Sequence, residues 1–282
     1  MRPHLASLRL AALSLAGALL AFLPAGAQAD GRFTARYTLT VGGVSVARAV
    51  VAGRATATSY ELAGTGRVTG VLRVISSGKG DVAARGAIGP NGLNPQVFAF
   101  SATADGKDEA VRVAVANGTA KEVDVEPPIK PLPDRIEVTP AHLTSIIDPM
   151  SGAFVYVPGS AEMISAAACD RTIPVFDGRQ RYDIRLSYLR TEPVKAGKTY
   201  ASDAVVCRVS YFPVAGHRPT RSTVKYMMEN KEMYVWLVPI AGTRLMAPFR
   251  ISIETMIGTA VFEATSFETE PNAGAAPAPA KP

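Results

Sequence analysis

The chain has 282 residues, 48% of them hydrophobic and 19% charged, which excludes general disorder and collagen-like, coiled-coil or small disulfide-scaffold proteins. Its 30 Lys and Arg against 24 Asp and Glu give a net charge of +6, far from the dense basic stripe of a nucleic-acid binder. We expect no nucleic-acid partner, although mild positive charge favours anionic surfaces such as acidic lipid or polysaccharide.

The first 29 residues have the three parts of a secretory signal peptide. Arg2 and Arg9 supply positive charge, Leu10 to Leu23 is an apolar run, and a small-residue cleavage signal ends at Ala29. The apolar run is shorter than the ~20 residues of a membrane anchor, the alternative explanation. Cleavage after Ala29 leaves a net charge of +4 (28 against 24) and predicts a periplasmic protein.

The next hundred or so residues have the side-chain period of β-strands. Phe33, Ala35 and Tyr37 alternate with polar residues, and turn pairs such as Gly42-Gly43 and Asn117-Gly118 recur every ~8–12 residues. The pattern predicts a mainly β fold with a large curved antiparallel sheet, an open barrel or a β-spiral.

The middle of the chain interrupts this rhythm. Four prolines between Pro127 and Pro133 predict an extended crossover within one continuous sheet, with an interdomain linker as the alternative. Thr139-Pro140 predicts a helix that runs to Ile147. A second short helix is expected to begin at Ser151, and 161–168 is assigned to a third.

Strands are predicted to resume after the second helical region. Asp177-Gly178 predicts a two-residue hairpin that places Phe176 opposite Arg179. Ser222 to Glu229 is predicted as a strand that pairs with the following one. Residues 30–270 are thus expected to form a single β-rich domain, followed by a disordered Pro/Ala tail over 271–282.

The two cysteines, Cys169 and Cys207, predict one disulfide, because an even count in an exported chain favours pairing. A redox pair and a metal site were the alternatives. The C-x-x-C spacing of a redox pair is absent, and no H-x3-H spacing supplies histidine partners for a metal site.

The run CDRTIPVFDGRQRYDIRLSYLR, which starts at Cys169, and the later VVCRVSYFPVAGHR resemble the DUF3108 family of proteobacterial exported proteins. Ile147-Asp148-Pro149 resembles the middle segment of the same family. The resemblance covers about Phe33 to Glu268 and implies an envelope location and a β-rich fold. By analogy alone, the fold is expected to be like that of the lipoprotein carriers LolA and LolB. The resemblance carries over no catalytic residues.

Residues with catalytic potential are few, and we predict no catalytic, metal or cofactor site. After the leader the chain has two histidines, His142 and His217, and no G-x-S-x-G, H-E-x-x-H or phosphate-loop motif. The acidic stretch from Asp105 to Glu109 lacks the ligand spacing of a calcium loop.

The strongest positive feature is a group of arginines on the predicted strands after Cys169. Arg181 and Arg185 project from one face and are candidates for binding a phosphate or carboxylate, since the guanidinium fork suits both anions. The alternative is cross-strand ion pairing with nearby aspartates on a solvated face.

Three functional hypotheses follow. The first is a non-enzymatic periplasmic protein that binds an apolar or amphipathic envelope ligand or supports envelope maintenance, soluble and at most peripheral to the membrane. The second is an interaction module that binds another envelope protein through an edge strand or the tail. The third is a hydrolase of an envelope polymer. The oligomeric state is not predicted.

Overall fold

The computed structural model describes residues 30–70 and 78–271. The predicted leader and its cleavage after Ala29 lie outside the described residues. So does most of Val68–Ser76, where a weak alternation of side chains predicts a strand. The predicted tail also lies outside them except for Pro271, which ends the last strand.

Strands dominate the described chain, and the middle contains short helical turns. The first half comprises β1 (Gly31–Val41), β2 (Val44–Ala55), β3 (Ser59–Val68), β4 (Gly78–Gly89), β5 (Gly92–Ala104), β6 (Lys107–Ala116) and β7 (Thr119–Glu126). The middle comprises a 3-10 turn (Pro140–Leu143), α1 (Pro149–Gly152), β8 (Val155–Tyr156) and a second 3-10 turn (Ala166–Ala168). The second half comprises β9 (Arg171–Phe176), β10 (Arg181–Ala196), β11 (Tyr200–Ala215), α2 (Ser222–Glu229), β12 (Met233–Pro239), β13 (Leu245–Thr255) and β14 (Gly258–Pro271).

The fourteen strands found among the described residues belong to one antiparallel sheet. Its order is β7-β6-β5-β4-β3-β2-β1-β14-β13-β12-β11-β10-β9, and β8 pairs with β13. The first and last strands pair along their length, from Gly31 opposite Pro271 to Val41 opposite Ala260, so both halves of the chain share the sheet. The predicted fold class is confirmed, and β7 and β9 are the two edges.

Local sequence explains the first half of the sheet. The period of two buries Phe33, Ala35 and Tyr37 along β1 and exposes alternate residues. Gly42 and Gly43 both have positive φ and join β1 to β2 in the predicted two-residue turn, with Val41 opposite Val44.

The two edges of the sheet are connected by the middle segment without pairing to each other. Ile146 donates its backbone N–H to Gly118, between β6 and β7, at 3.0 Å. Ile147 donates to Pro174 in β9 at 2.9 Å and forms a parallel bridge with Val175. The result is a barrel-like sheet whose remaining gap is crossed by loop backbone.

Apolar side chains pack on both sides of the second half of the sheet. Inside, an aromatic cluster forms from Phe33, Phe154, Tyr200, Phe249 and Phe267, with ring centroids 4.7–6.5 Å apart. On the other side, a second cluster of buried residues surrounds the disulfide: Val155, Val157, Ala168, Val205, Val235, Leu237 and Met246. The predicted bond between Cys169 and Cys207 is confirmed.

The predicted helix from Thr139 to Ile147 is wrong beyond its first turn. Only Pro140–Leu143 is helical, because Ser145 has a φ of 51° and Ile147 is taken up by its bridge to β9. The helix expected at Ser151 begins earlier, as α1, and the one expected over 161–168 is reduced to Ala166–Ala168.

The loop between β9 and β10 differs from the predicted two-residue turn. Phe176 lies opposite Arg181 and not opposite Arg179, so the register moves by two residues. The Asp177 carboxylate accepts the backbone N–H groups of Arg179 at 2.8 Å and Gln180 at 2.6 Å. This local hydrogen bonding stabilises a four-residue loop instead.

The strand predicted over Ser222 to Glu229 is wrong, because this segment is the helix α2. Its half-buried residues include Val224 and Met227, a spacing of three that fits one face of a helix. The prediction of β12 as a strand is confirmed. No helix among residues 30–70 and 78–271 is long and apolar enough to cross a membrane.

Candidate ligand-binding cavity

A polar turn lies against the inner face of the sheet at Asp148–Ser151. The side chains of Asp148 and Ser151 are fully buried, with 0% exposure. One carboxylate oxygen of Asp148 accepts the backbone N–H of Ser151 at 2.8 Å, which caps α1, and Pro149 occupies its first position. The short helix thus fixes a carboxyl group inside a mainly apolar sheet.

The other oxygen of Asp148 has no hydrogen-bond partner among the described residues. Burial raises the pKa of this carboxyl, while hydrogen bonds from Ser151 oppose the shift. The Ser151 hydroxyl lies 2.8 Å from the Tyr60 hydroxyl, which ties the turn to β3. An unpartnered buried carboxylate oxygen is costly and needs an explanation.

A second polar group lies nearby on the other half of the sheet. Burial raises the pKa of Tyr182, and the negative charges of Asp177 and Asp148 raise it further. The Tyr182 ring centroid is 5.5 Å from that of Tyr211. Burial also raises the pKa of Asp177, while the backbone N–H groups that donate to its carboxylate oppose this shift. Tyr182 therefore lies within electrostatic reach of two partly or fully buried carboxyl groups.

Asp177 and Tyr182, together with Pro149 and Met150 of α1, line a cavity of about 520 Å³, within the usual size range of ligand pockets. Its walls are mostly apolar, with Val82, Phe98, Phe100, Val111, Pro149 and Met150. Its polar lining comprises Glu109, Asp177, Arg179 and Tyr182. We call this space the rim cavity.

Small residues lie on the inner face beside the cavity wall. Gly64 lies opposite Val82, which lies opposite Phe100, and the next row contains Gly66 and Gly80. None of these three glycines lines the cavity, and a Cβ at Gly64 would lie 3.0 Å from the Val82 side chain, so the sheet is closely packed at Gly64. The aromatic cluster fills the interior on the other side.

The predicted anion-binding arginines already have contacts. Arg181 is 12% exposed at its side chain and forms an ion pair with Asp183 at 2.7 Å. This pair lies within β10 and does not cross strands. The Arg185 guanidinium lies 4.3 Å from the centroid of the Phe212 ring. Anion binding at Arg181 and Arg185 stays a prediction.

The two histidines have local structural contacts. His142 accepts the backbone N–H of Thr139 through Nδ1 at 3.1 Å. His217 is 9% exposed, burial lowers its pKa, and its carbonyl accepts the N–H of Ile136 at 3.0 Å. Within the described chain, no three His, Cys, Asp or Glu side chains are grouped as metal ligands.

Sequence reasoning missed Asp148, Ser151 and Tyr182 as site residues. In the sequence, Asp148 stands out only as part of the Ile147-Asp148-Pro149 resemblance. An available signal is an acidic residue before Pro149 with Ser151 three positions later, which is the spacing of a helix N-cap. Tyr182 carries no local signal, since it is one of several apolar and aromatic residues that alternate along β10.

The fold and the rim cavity define the class of protein, an antiparallel, barrel-like β protein with an interior pocket. The chain belongs to the family described as "Protein of unknown function (DUF3108)", whose model matches residues 36–265. The matched region contains both cysteines and the Asp148 turn. No curated protein matches the chain.

Two solved structures are similar to this chain. A crystal structure of a "Beta-barrel-like Protein of Domain of Unknown Function DUF1849" from Brucella abortus has 11% identity and a TM-score of 0.51 and covers 85% of this chain and 98% of its own. It supports the fold alone. A DUF1329 family protein from Desulfovibrio piger covers 89% of each chain at 9% identity, but its TM-score of 0.21 is too low to support any argument.

Proposed function

We propose that the protein binds an amphipathic molecule of the cell envelope in the rim cavity and catalyses no reaction. The observation that carries the proposal is a cavity whose apolar wall lies beside the polar side chains of Glu109, Asp177, Arg179 and Tyr182. We also infer that the protein is exported to the periplasm, because a buried disulfide fits an oxidising compartment.

The two kinds of lining suit the two parts of an amphiphile. Phe100, Val111 and Met150 would cover an aliphatic segment, from which the hydrophobic effect provides the affinity. Arg179 donates to the carbonyls of Glu126 and Pro127 and still has further N–H groups for a polar head group.

The alternative of an edge-strand interaction module has less support. The β7 edge carries Lys121, Glu122 and Asp124, and charged residues discourage strand addition. The β9 edge is already contacted by Ile147. Both edges are therefore poor sites for a partner strand.

The test begins with organic extraction of the purified protein and mass spectrometry of the extract. Binding of the fluorescent apolar probe 1-N-phenylnaphthylamine is then compared between the natural protein and Val82→Trp, in which the larger ring fills the rim cavity. We expect a co-purifying amphiphile and at least roughly tenfold weaker probe binding in the variant.

Leu132→Trp is the matched control, because it adds the same ring at a residue that is 37% exposed and outside the cavity lining. A protein with no bound amphiphile, whose probe binding is the same in both variants, would rule out the proposal.

A further inference from the structure

Two neighbouring hairpin tips expose apolar side chains. Val44, after the β1–β2 turn, is 50% exposed, and Met256 and Ile257, in the β13–β14 turn, are 62% and 83% exposed. The tips are adjacent, since Gly42 donates its backbone N–H to the Thr259 carbonyl at 3.0 Å. Such a concentration of exposed apolar groups marks an interaction surface more than scattered single residues do.

The outer face of the sheet next to these tips is strongly basic. Arg48, Arg67 and Lys79 lie directly opposite one another on β2, β3 and β4. All three are exposed, and none forms an ion pair within the described residues. Like charges in directly opposed positions are destabilising, so the fold does not account for this row.

The surplus of charge covers the whole outer face of β1–β4. These strands carry seven basic side chains against two acidic ones, all exposed and all on alternate positions that point away from the interior. The net charge of this face is therefore +5, against +6 for the entire chain. The basic residues are Arg32, Arg36, Arg48, Arg54, Arg67, Lys79 and Arg85, and the acidic ones are Glu61 and Asp81.

We propose that this face, with the two apolar tips, docks the protein onto a bilayer that contains anionic phospholipid. The apolar tips would enter the boundary between head groups and acyl chains, and the cations would contact the phosphates. Neither the apolar tips nor the basic face alone gives stable attachment. Together they supply a hydrophobic and an electrostatic contribution to membrane binding. The proposal does not depend on ligand binding in the rim cavity.

The acidic groups near the tips fix the orientation. Glu254 at the end of β13 accepts the Thr259 hydroxyl, and Glu232 accepts the Tyr234 hydroxyl. Both lie on the β12–β13 side, away from Arg48 and Arg67. The protein should therefore tilt its β2–β4 face toward the lipid. A soluble anionic polymer would use the cations but would have no use for the apolar tips.

Vesicle co-sedimentation tests the proposal with vesicles of phosphatidylcholine, with or without phosphatidylglycerol. We expect binding only to the anionic vesicles, weaker at high salt. The double variant Arg48→Gln with Arg67→Gln should bind roughly 25-fold more weakly, at about fivefold for each cation. Ile257→Ser should weaken binding by roughly tenfold. All variants keep the same N-terminus, so any contribution from residues 1–29 cancels.

Lys121→Gln on β7 and Leu132→Ser are the matched controls, with the same chemical changes away from the tips. Ile257→Trp adds a direct readout, since its emission should shift to the blue with anionic vesicles. Trp236 is 6% exposed and contributes a constant background. Equal binding to neutral vesicles, or no binding, would overturn the proposal. A third contrary result has two parts: Ile257→Ser binds vesicles as well as the natural protein does, and soluble dextran sulfate competes with the vesicles. That result would overturn the proposal and indicate a site for anionic polymers.

Discussion

Loss of the disulfide should destabilise the protein more than most single substitutions. The bond joins Cys169, in the loop before β9, to Cys207 in β11, and both residues are at most 1% exposed. It therefore fixes the covering loop to the outer side of the sheet. The perturbation of choice is the double variant Cys169→Ala with Cys207→Ala, which leaves no buried hydroxyl or thiol behind.

The size of the effect follows from the closed loop. The cysteines are 38 residues apart, and the chain-entropy relation assigns about 4 kcal/mol to a loop of that length. For a protein of this size each kcal/mol lowers the thermal midpoint by roughly 2–4 °C, which gives a fall of roughly 8–16 °C. The urea m-value should also rise, because the uncrosslinked chain exposes more surface when unfolded.

Thermal and urea unfolding, followed by circular dichroism, measure this effect with and without reductant. Reductant should destabilise the natural protein and should leave the double-alanine variant unchanged, which makes that variant the control. Equal midpoints for the oxidised protein and for a protein whose reduction is verified by mass spectrometry would show that the disulfide does not stabilise the fold.

Three further predictions concern unfolding free energy. Asp148→Asn should stabilise the protein by about 1–3 kcal/mol near neutral pH. The folded-state pKa of Asp148 is raised, so the buried charge destabilises the natural protein at neutral pH, and this destabilisation fades as the pH falls through that pKa. The free energies of unfolding of the natural protein and Asp148→Asn, measured with urea, should therefore become equal in acid. Gly178→Ala should lower the free energy of unfolding by about 3 kcal/mol, since the new Cβ would lie 2.4 Å from the Val111 side chain. Gly106 also has a positive φ but has open space around it, so Gly106→Ala should lower the free energy of unfolding by only about 1 kcal/mol. Arg67→Gln should stabilise by a few tenths of a kcal/mol, a gain that high salt removes.

Strand positions and tight turns could be predicted because their causes are local. The alternation from Phe33 to Val41 and the glycines at Gly42 and Gly43 need no distant partner to define a hairpin. The disulfide between Cys169 and Cys207 was predictable from the even number of cysteines and the inferred oxidising compartment alone. The same local rules gave the fold class.

The errors occurred where distant contacts decide the local structure. The segment before Ile147 has a good helix start, yet its bridge to β9 requires extended backbone. Ser222 to Glu229 has residues that suit a strand, but its half-buried residues Val224, Tyr226 and Met227 do not follow a strict period of two. In the rim cavity, Phe100 and Tyr182 come from different halves of the chain, so no sequence spacing could have joined them.

Two features of the molecule oppose stability and are not required by the fold. On the inner face, Asp148 keeps a buried carboxylate oxygen without a partner among the described residues. On the outer face, Arg48, Arg67 and Lys79 repel one another across three strands. Local conflicts of this kind concentrate at functional sites, because selection tolerates a cost in stability where binding requires it. Since the two features lie on opposite faces of one sheet, substitutions at one should leave the other intact. Ligand binding inside and membrane docking outside can therefore fail or succeed independently.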